Sequence, residues 1–353
     1  MTTTRIPAKA IIVSAVIGCF QTAWPIMARA GERRATSARS EAAELLERVL
    51  APPRVAYSGE IWVDRYGDPR ESGRVRVQAA FPGRFRREAA GPDGKSTRIA
   101  VTDGGAEWLY DPSRRRAWKS IPASPDDKRR GPEEELALTM KNYSLRVAEG
   151  GRVAGRPARR IDILELNGSS PVRQLWIDED YGLLLQEKRY RPDGVLAGWM
   201  RFQEIKIPAE IDPSVFQFSP PEGTRISTAP IEPDYMDLPS AQASAGMVPR
   251  VPGWLPPGYL FESADVLERR GVPILHCRYS DGVDVLSVFQ MPAKTRFTHQ
   301  GAPRKTFRLG GRRARVFLEG DRKIVEWLAD DQRLLLIGPL PVHLLRRVAE
   351  SFQ

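Results

Sequence analysis

Short runs in which apolar and polar residues alternate dominate the chain up to residue 208. In the run 73–81, Val75 and Val77 alternate with Arg74 and Arg76, a pattern typical of a strand with one dry face and one wet face. Turn sequences rich in Gly, Pro and Asp separate the runs. The predicted strands are 55–68, 73–81, 83–90, 96–103, 106–112, 115–121, 158–167, 172–180, 183–192 and 198–208. Their order predicts an antiparallel meander.

Two segments in this region have a helical pattern instead. In 40–50, Ser40 can cap the first turn, and apolar residues recur on one face until two prolines end the segment. In 132–143, Pro132 stands in the first turn and is followed by acidic residues, as helix N-termini favour. Meanders with one or two helices predict an α+β fold, or an open β-barrel packed on helices.

The composition changes between residues 216 and 257, where Pro, Ser, Ala and Gly are frequent and no strand or helix period is visible. Such a segment buries too little apolar surface to offset its chain entropy, so it predicts a linker. We place a β-rich domain at 38–223, the linker at 224–251 and a smaller domain at 252–353. The smaller domain contains predicted strands at 258–269, 272–280, 283–290, 306–320, 323–330 and 334–340 and a helix at 341–352.

Charge and the N-terminal sequence together narrow the choice of partners. The chain carries a net charge of +10, which favours an anionic partner. A basic start with Arg5 and Lys9, an apolar stretch at 10–20 and Ala28-Arg29-Ala30 predict a signal peptide over 1–30. We therefore expect a periplasmic protein, for which lipid headgroups and acidic proteins are better partners than nucleic acid.

An alternative for the N-terminus remains open. The residues Val16-Ile17-Gly18-Cys19 resemble a bacterial lipobox, in which Cys19 would be lipidated and would anchor the protein to a membrane. The apolar sequence that follows Cys19 favours simple cleavage instead. Under simple cleavage Cys277 is the one remaining cysteine, so no internal disulfide is expected.

The residues that carry catalytic chemistry are few. None of the three histidines has the spacing of a metal-ligand pair, and the sequence contains no nucleophile elbow. His276 and Cys277 are adjacent in a predicted strand, so their side chains point to opposite faces and cannot cooperate. We expect no enzyme activity, no metal and no cofactor.

Aromatic and basic residues are more informative. Core filling is the favoured interpretation of the aromatic residues in predicted strands, and the alternative is that they line an apolar ligand cavity. The candidates for the cavity are Trp62, Trp108, Tyr110, Trp118, Trp176 and Trp199. A solvated face is the default for each basic run, but together the runs suggest a surface for phosphate or carboxylate groups. The candidates for that surface are Arg86, Arg115, Arg312 and Arg313.

Several stretches resemble one known family. ELLERVLAPPRVAYSGEIWV at 44–63 and the end of the first domain at 176–223 are similar to the RseB/MucB family, whose first domain resembles lipoprotein carriers of the LolA and LolB type. WLPPGY at 254–259, CRYSDGVDVLSVFQ at 277–290 and the C-terminus at 333–352 resemble the second domain of that family, which carriers of the LolA type lack.

The resemblance implies a fold and a function. It implies a large, incompletely closed antiparallel barrel covered by helices, with an apolar cavity, and a smaller α/β-type C-terminal domain. Members of the family bind the periplasmic domain of a membrane anti-sigma factor and sense lipid or lipopolysaccharide during envelope stress. The alternative function is that of a LolA-type carrier of lipid or lipoprotein.

Overall fold

The computed structural model describes residues 5–7, 41–50, 54–67, 70–91, 93–120, 132–228, 236–269, 271–299, 302–319 and 322–352. Apart from Arg5–Pro7, the predicted signal peptide 1–30 lies outside the described residues, as does Cys19. Within the described ranges, no helix has the length and apolar character needed to cross a membrane.

The chain divides into two compact units, whose main parts are Arg70–Glu232 and Pro233–Gln353. We call them the N-terminal unit, which also includes the described residues 41–66, and the C-terminal unit. The segment predicted as a linker, 224–251, contains the strand Arg225–Thr228 of the first unit and the helix Leu238–Ala245 of the second. The domain boundaries given above stay a prediction.

The N-terminal unit consists of a twelve-stranded sheet and two helices in the described residues. The helices are α1 (Glu41–Leu50) and α2 (Pro132–Asn142). Following a short strand β1 (Arg5–Pro7), the strands of this sheet are β2 (Tyr57–Arg65), β3 (Glu71–Ala80), β4 (Arg84–Ala90), β5 (Ser96–Thr102), β6 (Glu107–Asp111), β7 (Arg116–Ser120), β8 (Tyr143–Val153), β9 (Arg156–Glu165), β10 (Pro171–Asp178), β11 (Leu184–Tyr190), β12 (Leu196–Lys206) and β13 (Arg225–Thr228).

The strand order across this sheet is β13-β7-β6-β5-β4-β3-β2-β12-β11-β10-β9-β8. Neighbours are antiparallel except β13 and β7, which are parallel. Within the described residues β13 and β8 form the two edges and do not pair with each other, so no closed barrel is found. The β-rich, helix-covered fold is as expected, while the incompletely closed barrel stays a prediction.

One face of this sheet carries the helices. Arg159 of β9 forms an ion pair with Glu41 of α1, and Ile161 and Ile163 project from β9 on the same side as Arg159. Leu45 and Leu46 are buried on α1, as the apolar stripe in its sequence requires. We call the side of Arg159 and Ile161 the helix face and the opposite side the outer face.

In the residues that the structure describes, the C-terminal unit consists of a seven-stranded sheet with two helices. The helices are α3 (Leu238–Ala245) and α4 (Val342–Glu350). The strands are β14 (Leu260–Arg269), β15 (Val272–Ser280), β16 (Val285–Pro292), β17 (Arg296–Thr298), β18 (Lys305–Leu309), β19 (Arg312–Glu319), β20 (Arg322–Ala329) and β21 (Gln332–Gly338). Strand β17 lies outside the seven-stranded sheet and pairs in parallel with β1.

The sheet order in this unit is β14-β15-β16-β21-β20-β19-β18, and every pair is antiparallel. Both helices lie against one face, where Ala241 and Leu345 join a core that includes Leu275 and Leu336. The arrangement differs from the expected α/β type. Short turns connect most neighbouring strands, and the helices precede and follow the strands instead of alternating with them, which is an α+β arrangement.

Candidate functional site

The helix face of the N-terminal sheet is mainly apolar. Residues directly opposite each other in a ladder project to the same face, so the pairings define continuous rows of side chains. One row crosses six strands and consists of Val147, Ile161, Leu175, Glu187, Met200 and Val63. Ile161 is fully buried, whereas Met200 is half-buried. This face offers apolar surface next to the helices α1 and α2.

A charged group interrupts the apolar surface on the same face. Arg87 of β4 lies opposite Val77 and Ala100, and Tyr57 and Glu107 are its charged or ionisable neighbours. Burial lowers the pKa of Arg87, and the nearby Tyr57 and Glu107 oppose that shift. Burial also raises the pKa of the Tyr57 hydroxyl far above its usual value. The helix face thus combines apolar surface with charged groups, among them Arg87 beside Glu107 and the buried Arg173 paired with Glu187.

The outer face has a different character. A row of Trp62, Arg201, Gln186, Trp176 and Arg160 crosses β2, β12, β11, β10 and β9. The neighbouring row, two residues along each strand, consists of Asp64, Trp199, Lys188, Gln174, Asp162 and Arg146. Three tryptophans therefore alternate with cations on one side of the sheet. We call these two rows the indole face.

Contacts within the indole face hold its side chains in place. Arg160 Cζ lies 5.8 Å and Lys188 Nζ 5.4 Å from the ring centroid of Trp176, within the range of cation–π attraction. Trp199 Nε1 donates a hydrogen bond to the hydroxyl of Tyr66 over 3.2 Å.

The carboxylate of Asp162 is buried beneath this network. Arg146 donates to its Oδ2 over 3.0 Å and Gln174 donates to its Oδ1 over 2.7 Å. Burial raises the pKa of Asp162, but these hydrogen bonds and the charge of Arg160 outweigh it and lower the pKa overall. The charge of Asp162 is therefore compensated inside the protein.

Two of the six predicted cavity residues are covered by residues that come later in the chain. Trp108 and Tyr110 of β6 point to the outer face, where the ring centroid of Phe218 lies 5.9 Å from Trp108 and 5.7 Å from Tyr110. Phe216, in a short 3₁₀ turn at Pro213–Phe216, is buried nearby. Trp108 and Tyr110 therefore pack beneath the segment 213–223, which we call the closing segment of the N-terminal unit.

The structure thus divides the six predicted cavity residues between two faces. Trp118 lies opposite Leu109 on the helix face. The other five project to the outer face. Whether the six residues line a cavity stays a prediction. Of the six, Trp118 is the residue that projects to the helix face.

The four predicted anion-binding arginines are divided between the two units, with two in each. Arg86 pairs with Glu88 over 2.5 Å and donates to the carbonyl of Val215, and Arg115 donates to the carbonyl of Glu222. Both therefore bind the closing segment of the N-terminal unit. In the C-terminal unit Arg312 pairs with Asp330, and the neighbouring Arg313 points to the other face of β19. Their role in binding stays a prediction.

A second set of charged groups lies on the helix-free face of the C-terminal sheet. One row crosses all seven strands and consists of Asp265, His276, Phe289, Leu335, Glu326, Arg315 and Thr306. His276 Nδ1 lies 2.8 Å from Oδ1 of Asp265, and the His276 ring stacks on Phe289 at 4.1 Å. Both members of this histidine–aspartate pair are almost fully buried.

Cys277, next to His276 in the chain, lies in the core beneath the helices α3 and α4. The two side chains therefore point to opposite faces, as the sequence predicts. Burial, and to a lesser extent Asp265, raises the pKa of the Cys277 thiol to about 12. A thiol in this environment is not an activated nucleophile.

The sequence did not reveal the indole face, Arg87 or the Asp265–His276 pair. The alternation of Trp62 with polar residues was visible, but the partners across the sheet depend on register and on bulges such as the one after Phe202. For Arg87 one signal was available, since Phe85, Arg87 and Ala89 occupy alternate positions of a strand and thus share a face.

These features define a class of protein: a β-rich chain of two units, each in its described residues a mainly antiparallel sheet with two helices on one face. Residues 114–219 match the family model described as the MucB/RseB N-terminal domain. This match confirms the resemblance to the RseB/MucB family.

Solved structures with the same fold cover both units. The Pseudomonas aeruginosa MucA/MucB complex is similar with a TM-score of 0.58 and 19% identity, over 89% of this chain and 99% of that chain. MucB in complex with MucA(peri) is similar with a TM-score of 0.53 and 19% identity, over 88% of this chain and 96% of that chain.

A carrier protein is also related in sequence. The outer-membrane lipoprotein carrier protein of Alkalilimnicola ehrlichii is 27% identical over 181 residues, which is 49% of this chain and 68% of that protein. The chain is thus similar to MucB in fold over most of its length and to a carrier over about half of it.

Proposed function

We propose that this protein is an exported regulatory binding protein, which holds the periplasmic region of a membrane anti-sigma factor and responds to a lipid-like ligand. The observation that carries the proposal is the extent of the likeness to MucB in complex with MucA, which includes both units of this chain. A protein that only carried lipoproteins would need the first unit alone. The families with which the chain is compared are binding proteins, in agreement with a function that needs no catalytic group.

The helix face of the N-terminal unit is the proposed ligand site. An acyl chain would lie along the apolar rows that contain Val77 and Leu109, and Trp118 would contact it. An anionic headgroup would lie beside Arg87, because a guanidinium group can donate charge-assisted hydrogen bonds to phosphate or carboxylate oxygens. Anionic lipids and lipopolysaccharide both have acyl chains and an anionic headgroup.

The test is direct binding to a candidate partner. The mature protein is first used to capture partners from envelope extract. For each single-pass membrane protein that is captured, the periplasmic region is then expressed alone, and its binding to the mature protein is measured by calorimetry. The proposal predicts saturable binding of the region that belongs to an anti-sigma factor, and weaker binding once a lipid occupies the protein. The proposal is contradicted if the mature protein binds no periplasmic region of an anti-sigma factor.

A LolA-type carrier of lipid or lipoprotein is the second candidate, favoured by the similarity to the lipoprotein carrier of Alkalilimnicola ehrlichii. It predicts that acyl chains co-purify with the protein and that the protein transfers a lipoprotein between membranes. Transfer without anti-sigma binding would favour the carrier over the regulator.

A further inference from the structure

The indole face of the N-terminal unit carries two cations that have no acidic partner. In the described part of the chain, no carboxylate lies within ion-pair distance of Lys188 or Arg201. Lys188 contacts the ring of Trp176, and Arg201 is exposed to solvent. By contrast, Arg146 and Arg160 are paired with Asp162, and Arg70 is paired with Asp64.

These two cations lie between aromatic rings. Arg201 stands directly opposite Trp62, and Lys188 stands directly opposite Trp199. Because Trp199 and Arg201 are two residues apart on β12, the four side chains form a checkerboard on three adjacent strands. Trp62 and Trp199 are half-buried, so part of each ring faces outward.

Flat rings that alternate with cations on a sheet face suit a ligand with flat apolar surfaces and regularly spaced negative charges. Neighbouring strands lie about 4.8 Å apart, close to the length of one pyranose ring. Indole rings pack against the apolar C–H face of a sugar, and ammonium or guanidinium groups bind carboxylates with charge-assisted hydrogen bonds. In the OB-fold, a sheet face together with neighbouring loops binds oligosaccharides.

We propose that the indole face binds an acidic oligosaccharide, with Trp62 and Trp199 stacking on sugar rings and Lys188 and Arg201 binding carboxylates. The site lies on the opposite side of the sheet from the proposed lipid site. It is therefore independent of the lipid ligand, and an acidic glycan and a lipid could occupy the protein together.

The probe for the test is hexagalacturonate, an oligosaccharide with one carboxylate on each ring. Calorimetry and tryptophan fluorescence follow its binding to mature protein at low and at moderate salt. A neutral hexasaccharide of glucose and a hexaglutamate peptide serve as comparison ligands, because the first lacks the charges and the second lacks the sugar rings. We expect saturable, salt-sensitive binding of hexagalacturonate and at least tenfold weaker binding of both others.

Four variants distinguish a specific oligosaccharide site from non-specific attraction of the anionic ligand by the net positive charge of the protein. Lys188→Gln and Arg201→Gln should each weaken binding at least fivefold, and Trp62→Phe should reduce the fluorescence response together with the affinity. Arg308→Gln is the matched control, because it removes an equal charge from an exposed position in the other unit. Circular dichroism of each variant shows whether it has folded.

Three results would overturn the proposal. The first is the absence of saturable binding of hexagalacturonate. The second is equal binding of hexaglutamate with no effect of Trp62→Phe, which would indicate a site for acidic peptides. The third is a loss of binding in Arg308→Gln as large as in Arg201→Gln, which would indicate attraction by net charge alone.

Discussion

Nε2 of His299 lies 2.7 Å from Oε2 of Glu326, a carboxylate that is almost fully buried in the C-terminal sheet. Arg315 donates to the same carboxylate over 3.0 Å, and Arg333 contacts its other oxygen. The His299 ring also stacks on Phe317 at 3.5 Å. Glu326 thus joins the segment after β17 to the strands β19, β20 and β21.

This arrangement predicts a strong effect of Glu326→Ala. Removal of the Glu326 carboxylate leaves Arg333 without its counter-charge and His299 without its hydrogen-bond partner in a desolvated position, which typically costs about 3–5 kcal/mol. We expect the free energy of unfolding of the C-terminal unit, measured by urea denaturation at neutral pH, to fall by that amount. Asp330→Asn, which removes an exposed carboxylate paired with Arg312, is the control and should have a much smaller effect.

Glu326 also predicts a pH dependence. Burial raises its pKa, but His299, Arg333 and Arg315 together outweigh burial and lower it below the usual value. A carboxylate with a lowered pKa stabilises the folded state above its unfolded pKa of about 4.3, and that contribution is lost as pH falls through the folded pKa. Denaturation between pH 7 and pH 3 should show a steeper loss of stability in the wild type than in Glu326→Gln. Equal slopes would contradict this role.

The closing segment of the N-terminal unit gives another prediction about stability. Phe216 is almost fully buried where the 3₁₀ turn meets β4, and Arg84 Cζ lies 5.5 Å from its ring centroid. Phe216→Ala should cost about 3–5 kcal/mol in the unfolding of the N-terminal unit, because a cavity replaces the ring. The exposed neighbour Gln217 is the control, and Gln217→Ala should change the free energy by no more than about 0.5 kcal/mol. Similar losses in both variants would show that the segment does not depend on the buried ring.

Trp108 and Trp118 project to opposite faces of the N-terminal sheet, and the sequence alone did not predict this difference. Alternation predicted most of the strands and the two faces of β3, with Val75 and Val77 on the helix face and Arg74 and Arg76 on the outer face, but it missed the strand β8. Trp108 and Trp118 both have even numbers, but a 3₁₀ turn and Arg115 in a left-handed conformation separate β6 from β7. That connection sets which way β7 presents its side chains, so the face of Trp118 could not be assigned from spacing alone.

Composition was also a poor guide to the segment between the units. Pro, Ser and Ala predicted a linker throughout 224–251, yet α3 forms there, with the Asp237 side chain accepting a hydrogen bond from the backbone N–H of Ser240 over 2.8 Å. Ala241 and Ala245 on this helix are buried because they pack on the sheet of the C-terminal unit. Tertiary packing therefore stabilises a helix that its short sequence would not support alone.

The two faces of the N-terminal sheet predict which tryptophans a lipid quenches. A fatty acid brominated on its acyl chain quenches indole rings that it touches, and on this account it lies on the helix face. In single-tryptophan variants, we expect strong quenching of Trp118 and little quenching of Trp199, which projects to the outer face. Stronger quenching of Trp199 than of Trp118 would place the lipid on the wrong side of the sheet for this account.

Arg87 predicts the headgroup preference of the same site. Arg87→Gln should weaken the binding of a fluorescent fatty acid by about tenfold, because one charge-assisted hydrogen bond from a desolvated cation is lost. Arg76→Gln removes an equal charge from the outer face, where Arg76 is exposed, and should leave the affinity unchanged. A loss of affinity in both variants would point to surface attraction, and a loss in neither would exclude Arg87 from the site.

The central claim is that this protein binds the periplasmic region of an anti-sigma factor. It is tested most directly by calorimetric titration of mature protein with the purified periplasmic region of the anti-sigma factor from the same organism, with and without a saturating fatty acid. The account predicts saturable binding with a dissociation constant in the micromolar range or tighter, weakened when the fatty acid is present. No binding to that region, combined with transfer of lipoprotein between membranes, would contradict the account and identify the protein as a carrier.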